Sequence, residues 1–360
     1  MLHGSALTLL AATLFGCDRT PEAKPSPPAP APTSLISATA PATSRAGGAP
    51  KPDNFRLPSS ARLVAIGDIH GDLTALRAAL RLAGAINGED DWIGKDLTVV
   101  QTGDQVDRGD QDREVLDVLE KLEGAAKAAG GALHVLNGNH ELMNATFDFR
   151  YVTRRSFESF RDVDADGHHP PAFLERLPEE ERGRARAFAP GRTYAQKLAK
   201  HLTVAVIGDS LFAHGGVLPA HVDYGLSRIN REASEFLSGA RADLSRALSA
   251  EDSPVWNRDY GGPQVDAAAC DALGRTLRQV GAKRLVVGHT VQKDGISSAC
   301  QDRVFRIDVG LSAYYGDNPV QVLEITANGP RILTAGAASA APGASAKKSA
   351  PRDSALHSPP

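Results

Sequence analysis

Three times in the first half of its folding region the chain runs through a short apolar stretch and stops at a glycine or asparagine followed by polar groups: RLVAIGDIHG, TVVQTGDQVDRG and LHVLNGNHE. Each apolar run has the length of a buried strand. Between them stand segments of helical period, LTALRAALRLAGA, which places Leu73, Leu76 and Leu80 on one face, and REVLDVLEKLEGAAKAA. The order is β-α-β-α-β, which requires parallel strands joined by helical crossovers. All three polar ends then fall on the C-terminal edge of one sheet, where α/β proteins bind ligands. Within GDIHG, Asp68 and His70 are two apart, so on an extended edge both side chains would point the same way.

The rhythm breaks over residues 145–200, where charged, helix-like stretches mix with prolines. It resumes with LTVAVIGDSLFAHGG, read as a pair of strands, then helices over residues 224–249 and 264–281. KRLVVGHT, RVFRIDVGLS and PVQVLEI close the region as strands, and no internal repeat is present.

The ends differ in composition. Residues 18–56 and 336–360 are rich in Pro, Ala and Ser with few large apolar residues, so neither can bury enough surface to fold, and the first reads as a linker and the second as a disordered tail. Residues 1–17 form an apolar stretch of signal-peptide length that ends in Leu14, Phe15, Gly16 and Cys17. It resembles a bacterial lipobox, with Cys17 as the lipidated residue, against the alternative of a simply cleaved apolar leader. The expected folded domain is therefore 57–335. Besides Cys17 only Cys270 and Cys300 occur, and neither stands in a metal-binding spacing; they either pair, as an exported protein permits, or remain free thiols. A formal net charge of −3 offers no basic surplus for nucleic acid, so no nucleic-acid binding is expected and function must be argued from sites.

Those sites are the strand ends. Asp68 and His70, Asp104 with Asp107 and Arg108, Asn139 and His140, His214, and His289 follow successive strands. Each has an ordinary reading as a turn, a cap or a core histidine when taken singly. Together they make an oxygen and imidazole donor set without thiolates, which suits a pair of manganese, iron or zinc ions.

The series GDIHG, GDQVDRG, GNHE, HGG and GHT resembles the PPP family of metal-dependent phosphoprotein phosphatases, within the calcineurin-like metallophosphoesterase fold. FDFRYV, FAHGGVLPAHVDYGLSRIN, PVWNRDY and GHTVQKDGI make it most similar to the Shewanella-like protein phosphatases. The eukaryotic Ser/Thr members' LWSDP and SAPNYCG are replaced by VWNRDY and DVGLSAYYG. The resemblance implies an αββα sandwich, two packed mixed β-sheets flanked by helices. It implies Asp68 and His70 as ligands of one divalent ion, Asp104 as the bridge, and Asn139, His214 and His289 as ligands of a second. His140 would be the general acid and Asp107 the carboxylate that orients it, with Glu141 supporting the pair. Arg108 and Arg258 would grip phosphate.

Two cations sharing a water would make hydroxide available near neutral pH for in-line attack on phosphorus. The expected activity is hydrolysis of phosphomonoesters, on phosphoproteins (Ser/Thr or Tyr) or on a small phosphoester. The alternatives are a dinucleoside polyphosphate hydrolase and a non-catalytic envelope lipoprotein scaffold. The expected location is the bacterial cell envelope, with a membrane anchor at Cys17 and the domain facing the periplasm or the exterior.

Overall fold

The computed structural model describes residues 55–163, 174 and 176–336. The expected leader with Cys17, residues 18–54 and residues 337–360 lie outside the described residues. The chain runs β1 (Arg56–Leu57), β2 (Arg62–Ile66), α1 (Leu73–Leu82), β3 (Thr98–Gln101), α2 (Asp112–Ala128), β4 (Ala132–Val135) and α3 (Asn139–Ala145). Next come α4 (Arg154–Ser159), α5 (Glu179–Phe188), α6 (Thr193–Leu198), β5 (Val204–Ile207), β6 (Ser210–Ala213), α7 (Pro219–Tyr224), α8 (Leu226–Leu237) and α9 (Arg246–Ser249). The last elements are α10 (Ala267–Val280), β7 (Arg284–Val287), β8 (Ser297–Ala299), β9 (Val304–Arg306), β10 (Gln321–Thr326) and β11 (Gly329–Thr334).

The expected β-α-β-α-β unit is present. Strands β2, β3 and β4 pair in parallel, and β10 and β11 extend that sheet antiparallel from the β2 side, in the order β11-β10-β2-β3-β4. The second sheet has the order β1-β5-β6-β7-β9-β8. Folding begins ahead of the boundary expected at residue 57: Phe55 is buried, and Arg56 and Leu57 pair with Val206 and Ile207. A single aromatic and two ladder positions carry little weight in a proline-rich stretch, so composition hid them.

Residue alternation in the second sheet explains the layers. Ala205, Ile207, Phe212, Val286 and Phe305 pack into the core shared with the first sheet, while Val204, Val206, Leu211, Leu285, Val287 and Val304 belong to the cluster under the helices. Successive side chains point to opposite faces, so each strand feeds two cores and reads as a continuous apolar run. This is the αββα sandwich. Its helices begin and end where the sequence supplies caps. Asp72 accepts the Ala75 N–H at the start of α1, Asp266 accepts that of Ala269 at the start of α10, and Gly281 ends α10 with a φ of 73°.

Cys270 on α10 and Cys300 beyond β8 form a disulfide with Cα atoms 5.3 Å apart, so of the two alternatives the structure has the pair. The bridge ties a helix to the sheet edge across a sequence separation of 30. Closing a loop of that size restrains the unfolded chain, so Cys300→Ser is expected to lower the unfolding free energy by about 3 kcal/mol. Urea titrations with and without dithiothreitol check this: reduction should bring wild type down to the variant, and equal midpoints under oxidising conditions would mean the bridge restrains nothing.

Candidate metal centre and active site

With the exception of Arg258, the expected site residues follow the C-terminal ends of strands. Asp68 and His70 follow β2, Asp104 to Arg108 follow β3, Asn139 and His140 open α3 beyond β4, His214 follows β6 and His289 follows β7. Both sheets thus contribute to one edge of the sandwich. Asp68 and His70 do meet there, His70 Nε2 lying 3.9 Å from Asp68 Oδ2, but not by strand alternation. β2 stops at Ile66, and His70 adopts a left-handed φ of 47° that turns its ring back toward Asp68.

Asp104, Asp107, Arg108 and His289 share that backbone region, with φ of 56°, 70°, 66° and 66°. The left-handed region costs a residue with a Cβ on the order of 1 kcal/mol. Five such residues in the expected site mean that the packed strands and a set of hydrogen bonds hold these loops in place. Glu141 supplies several of those bonds: its carboxylate accepts the N–H groups of Gly138 (2.6 Å), Asp104 (3.0 Å) and Gln105 (2.8 Å). Gly138 has no room for a Cβ, which would stand 2.6 Å from the Asp104 nitrogen. This close approach is why a glycine precedes Asn139.

Asp104 is the centre. Its Oδ2 lies 3.1 Å from His214 Nε2 and 3.7 Å from both His70 Nε2 and His140 Nε2. His214 Nε2 in turn stands 3.0 Å from Asn139 Oδ1 and 3.1 Å from His289 Nδ1. Two groups of potential ligands result, His70 with Asp104 and His140, and Asp104 with His214 and His289. Asp104 is common to both. Donor atoms 3.0–3.1 Å apart match the edge of an octahedral shell with bonds of about 2.1 Å.

Protonation fits the same use. Burial holds the His70 imidazole down to about 3 and that of His289 down to about 2, so both are neutral and offer a lone pair. Burial pushes Asp104 upward, but the surrounding histidines, His214 first, outweigh it and hold the carboxyl well below its usual range. Asp68 is raised by burial and by the neighbouring charges of Asp308 and Asp104. The centre therefore stacks buried carboxylates that cations would relieve.

His140 points its Nδ1 at Asp107 Oδ2, 2.7 Å away. Burial opposes its charged form, yet Asp104 and Asp107 together raise its pKa above the ordinary value. Arg108 lies within 2.8 Å of His70 Nε2 through Nη1, so the lone pair the resemblance assigns to a metal is shared here with a guanidinium. That lone pair can serve one of the two at a time. Around Arg108 stand the rings of Tyr151, Tyr314 and Tyr315, with centroids 5.2, 5.9 and 5.4 Å from Cζ. Arg258 reaches the same centre from the loop between α9 and α10, donating to the His289 carbonyl (3.2 Å) and to Thr290 Oγ1 (3.0 Å).

Four buried residues at or beside the site were not singled out in the sequence: Asp112, Asn144, Arg184 and Asp308. Asp308 follows β9 in RIDVGLS as the other carboxylates follow their strands, so the strand-end pattern could have found it. Arg184 could not be found that way, since it comes from α5 in the stretch where the pattern breaks.

The family model described as calcineurin-like phosphoesterase matches residues 61–293. The chain is 39% identical over 303 residues to Shewanella-like protein phosphatase 2 of Arabidopsis thaliana, covering 76% of this chain and 77% of that one. It is 28% identical to Shewanella-like protein phosphatase 1 of Plasmodium berghei, covering 76% and 74%. Among solved structures it is similar to the cold-active protein-tyrosine phosphatase of a psychrophilic Shewanella, with a TM-score of 0.62, 25% identity, and coverage of 79% and 82%.

A carboxylate that belongs to both clusters should be needed by both ions. Asp104→Asn is expected to bind at most one divalent ion per chain where wild type binds two, and to lose activity by at least about 100-fold. Metal analysis beside turnover checks this, and two ions with normal turnover in the variant would remove Asp104 from the centre.

Proposed function

We propose that this chain, which belongs to the calcineurin-like phosphoesterase family, is a two-metal phosphatase of phosphoproteins that prefers phosphotyrosine. One observation carries the reading: the Asp104 carboxylate joins two donor clusters while the hydrogen-bonded His140–Asp107 pair lies against it. Divalent ions of the manganese, iron or zinc kind, held by Asp68, His70 and Asp104 on one side and by Asp104, Asn139, His214 and His289 on the other, would draw charge from phosphoryl oxygens and acidify a water.

The chain's own groups do the rest. Arg108 and Arg258 approach from opposite clusters and offer planar forks to phosphate oxygens. His140, whose charged form Asp104 and Asp107 favour against its burial, gives its proton from Nε2 to the departing oxygen, and Asp107 fixes the ring through Nδ1. The aromatic collar argues for tyrosine. A phosphate on Arg108 places its leaving group among Tyr151, Tyr314 and Tyr315, of which Tyr151 and Tyr314 are exposed. Ring–ring contacts are worth about 0.5–1.5 kcal/mol. Support also comes from the Shewanella neighbour, whose name describes a tyrosine phosphatase.

The test is a substrate panel on metal-loaded protein. Matched phosphotyrosyl peptides should exceed phosphoseryl ones in kcat/KM by roughly 2- to 10-fold through ring contacts alone, and Tyr151→Ala should narrow the ratio. A ratio of one in wild type would remove the tyrosine preference, and no hydrolysis of any phosphomonoester would remove the phosphatase.

We place the domain outside the cytoplasm, tethered through lipid on Cys17. The lipobox-like end at residues 14–17 motivates this, and the Cys270–Cys300 disulfide supports it, since such bridges persist in oxidising compartments. Cys17→Ala is expected to move the protein from the membrane to the soluble fraction of expressing cells. Wild type already soluble would end the tether.

A further inference from the structure

Arg184 is fully buried on α5, and its guanidinium packs against the edge-to-face pair of rings Phe160 and Phe188, whose centroids are 5.1 and 4.9 Å from Cζ. A buried cation needs partners for its charge and its donors, and here they all lead to the His140 pair. Nη2 reaches Asp107 Oδ1 at 2.9 Å and Asp112 Oδ2 at 2.7 Å. Nε donates to Asn144 Oδ1 and Nη1 to Ser156 Oγ, both at 2.7 Å. Asn144 returns an amide N–H to Asp107 Oδ1 at 2.9 Å, and Ser156 donates to Asp112 at 2.7 Å.

Asp107 has two oxygens, and the division between them is strict. Oδ1 is taken by Arg184 and Asn144, which leaves Oδ2 to face His140 Nδ1. Asp112 accepts the backbone N–H of Asp107, 3.0 Å from each of its oxygens. One guanidinium therefore fixes both the side chain of Asp107 and, through Asp112, the left-handed turn that carries it and Arg108. Lysine could supply the charge but not the fork.

From this we infer that Arg184 is a positioning residue: it locks the Asp107 carboxylate so that the His140 imidazole is held in one orientation over the cleft. The inference rests on the proposed role of His140 in turnover. It assigns a task to the stretch at 145–200, which sends one side chain beneath the metal edge from a layer the strand-end motifs do not include.

The experiment is a double-mutant cycle with Arg184→Lys and His140→Asn on metal-loaded enzyme, with metal content and melting temperature recorded for each. Small misplacement of a reacting group can cost on the order of 100-fold, so Arg184→Lys is expected to lower kcat by about 10- to 100-fold with KM little changed. In the His140→Asn background the same substitution should cost kcat several-fold less, because the part of its effect that passes through the imidazole is gone and only the part carried by the Arg108 turn is left. An equal loss in both backgrounds would overturn the positioning role and leave Arg184 a structural ion pair.

Should Arg184→Lys not fold, Ser156→Ala loosens Nη1 without removing a charge. It is expected to cost a few-fold in kcat in wild type and nothing in His140→Asn; equal losses again overturn the inference. A leaving-group series with His140→Asn alone separates the acid reading. If His140 is the acid, phenyl phosphate slows about 10²- to 10⁴-fold and an activated dinitrophenyl ester far less. Equal slowing would discard the acid but not the positioning, since the cycle reports coupling between Arg184 and His140 whatever His140 does.

Discussion

The carboxylate of Asp104 is the constraint from which the rest of the site follows. To serve two clusters it must stand where the edges of both sheets meet, buried and ionised among histidines. Its backbone adopts a left-handed turn, its N–H is held by Glu141, and its Oδ1 takes the His140 N–H at 3.1 Å. Three buried carboxylates, Asp68, Asp104 and Asp308, then lie close enough to raise or oppose one another. The nearby neutral imidazoles of His70 and His289 cannot compensate that charge. Divalent cations would, and their binding would then couple to the stability of this edge.

Such an arrangement needs a rigid base. The second sheet alternates between two apolar cores, and the first is apolar from Leu63 to Ile66 without interruption. Packing of that density does not yield to a strained loop. The left-handed turns at His70, Asp104, Asp107, Arg108 and His289 are therefore imposed by strands whose positions are fixed elsewhere. The same rigidity keeps donor atoms near 3 Å apart, a spacing that suits a small cation.

How much was legible in the sequence depended on distance along the chain. Asp68, Asp104, Asn139, His214 and His289 follow apolar runs directly, so strand length and parallel topology sufficed to bring them together, and the resemblance supplied their roles. Phe55 and β1 were lost because their pairing partner, β5, lies about 150 residues away, and local composition carries no trace of it. Asp68 and His70 were placed together for the wrong geometric reason, since periodicity describes strands and not the turn that follows one. Arg184 was invisible. Charged residues in a charged helix suggest a solvated face, and only tertiary partners distant in sequence, Asp107, Asp112, Asn144 and the rings of Phe160 and Phe188, turn this one inward.

The parts of the site divide accordingly between chemistry and selection. The strand ends supply the donor set, and they belong to a fold held rigid by two cores. The rim comes from elsewhere. Tyr151 lies in the broken stretch, and DVGLSAYYG supplies Asp308 beside Asp68 and Tyr314 and Tyr315 beside Arg108. One short segment thus carries both a carboxyl beside the donor set and the rings beside Arg108. Since Arg108 is surrounded by those rings while it touches His70, a change in the collar also changes the guanidinium that would have to release the His70 lone pair to an ion. If Arg108 grips phosphate as proposed, the tyrosine preference and phosphate binding would meet in this one side chain, and a substitution in the collar would move both.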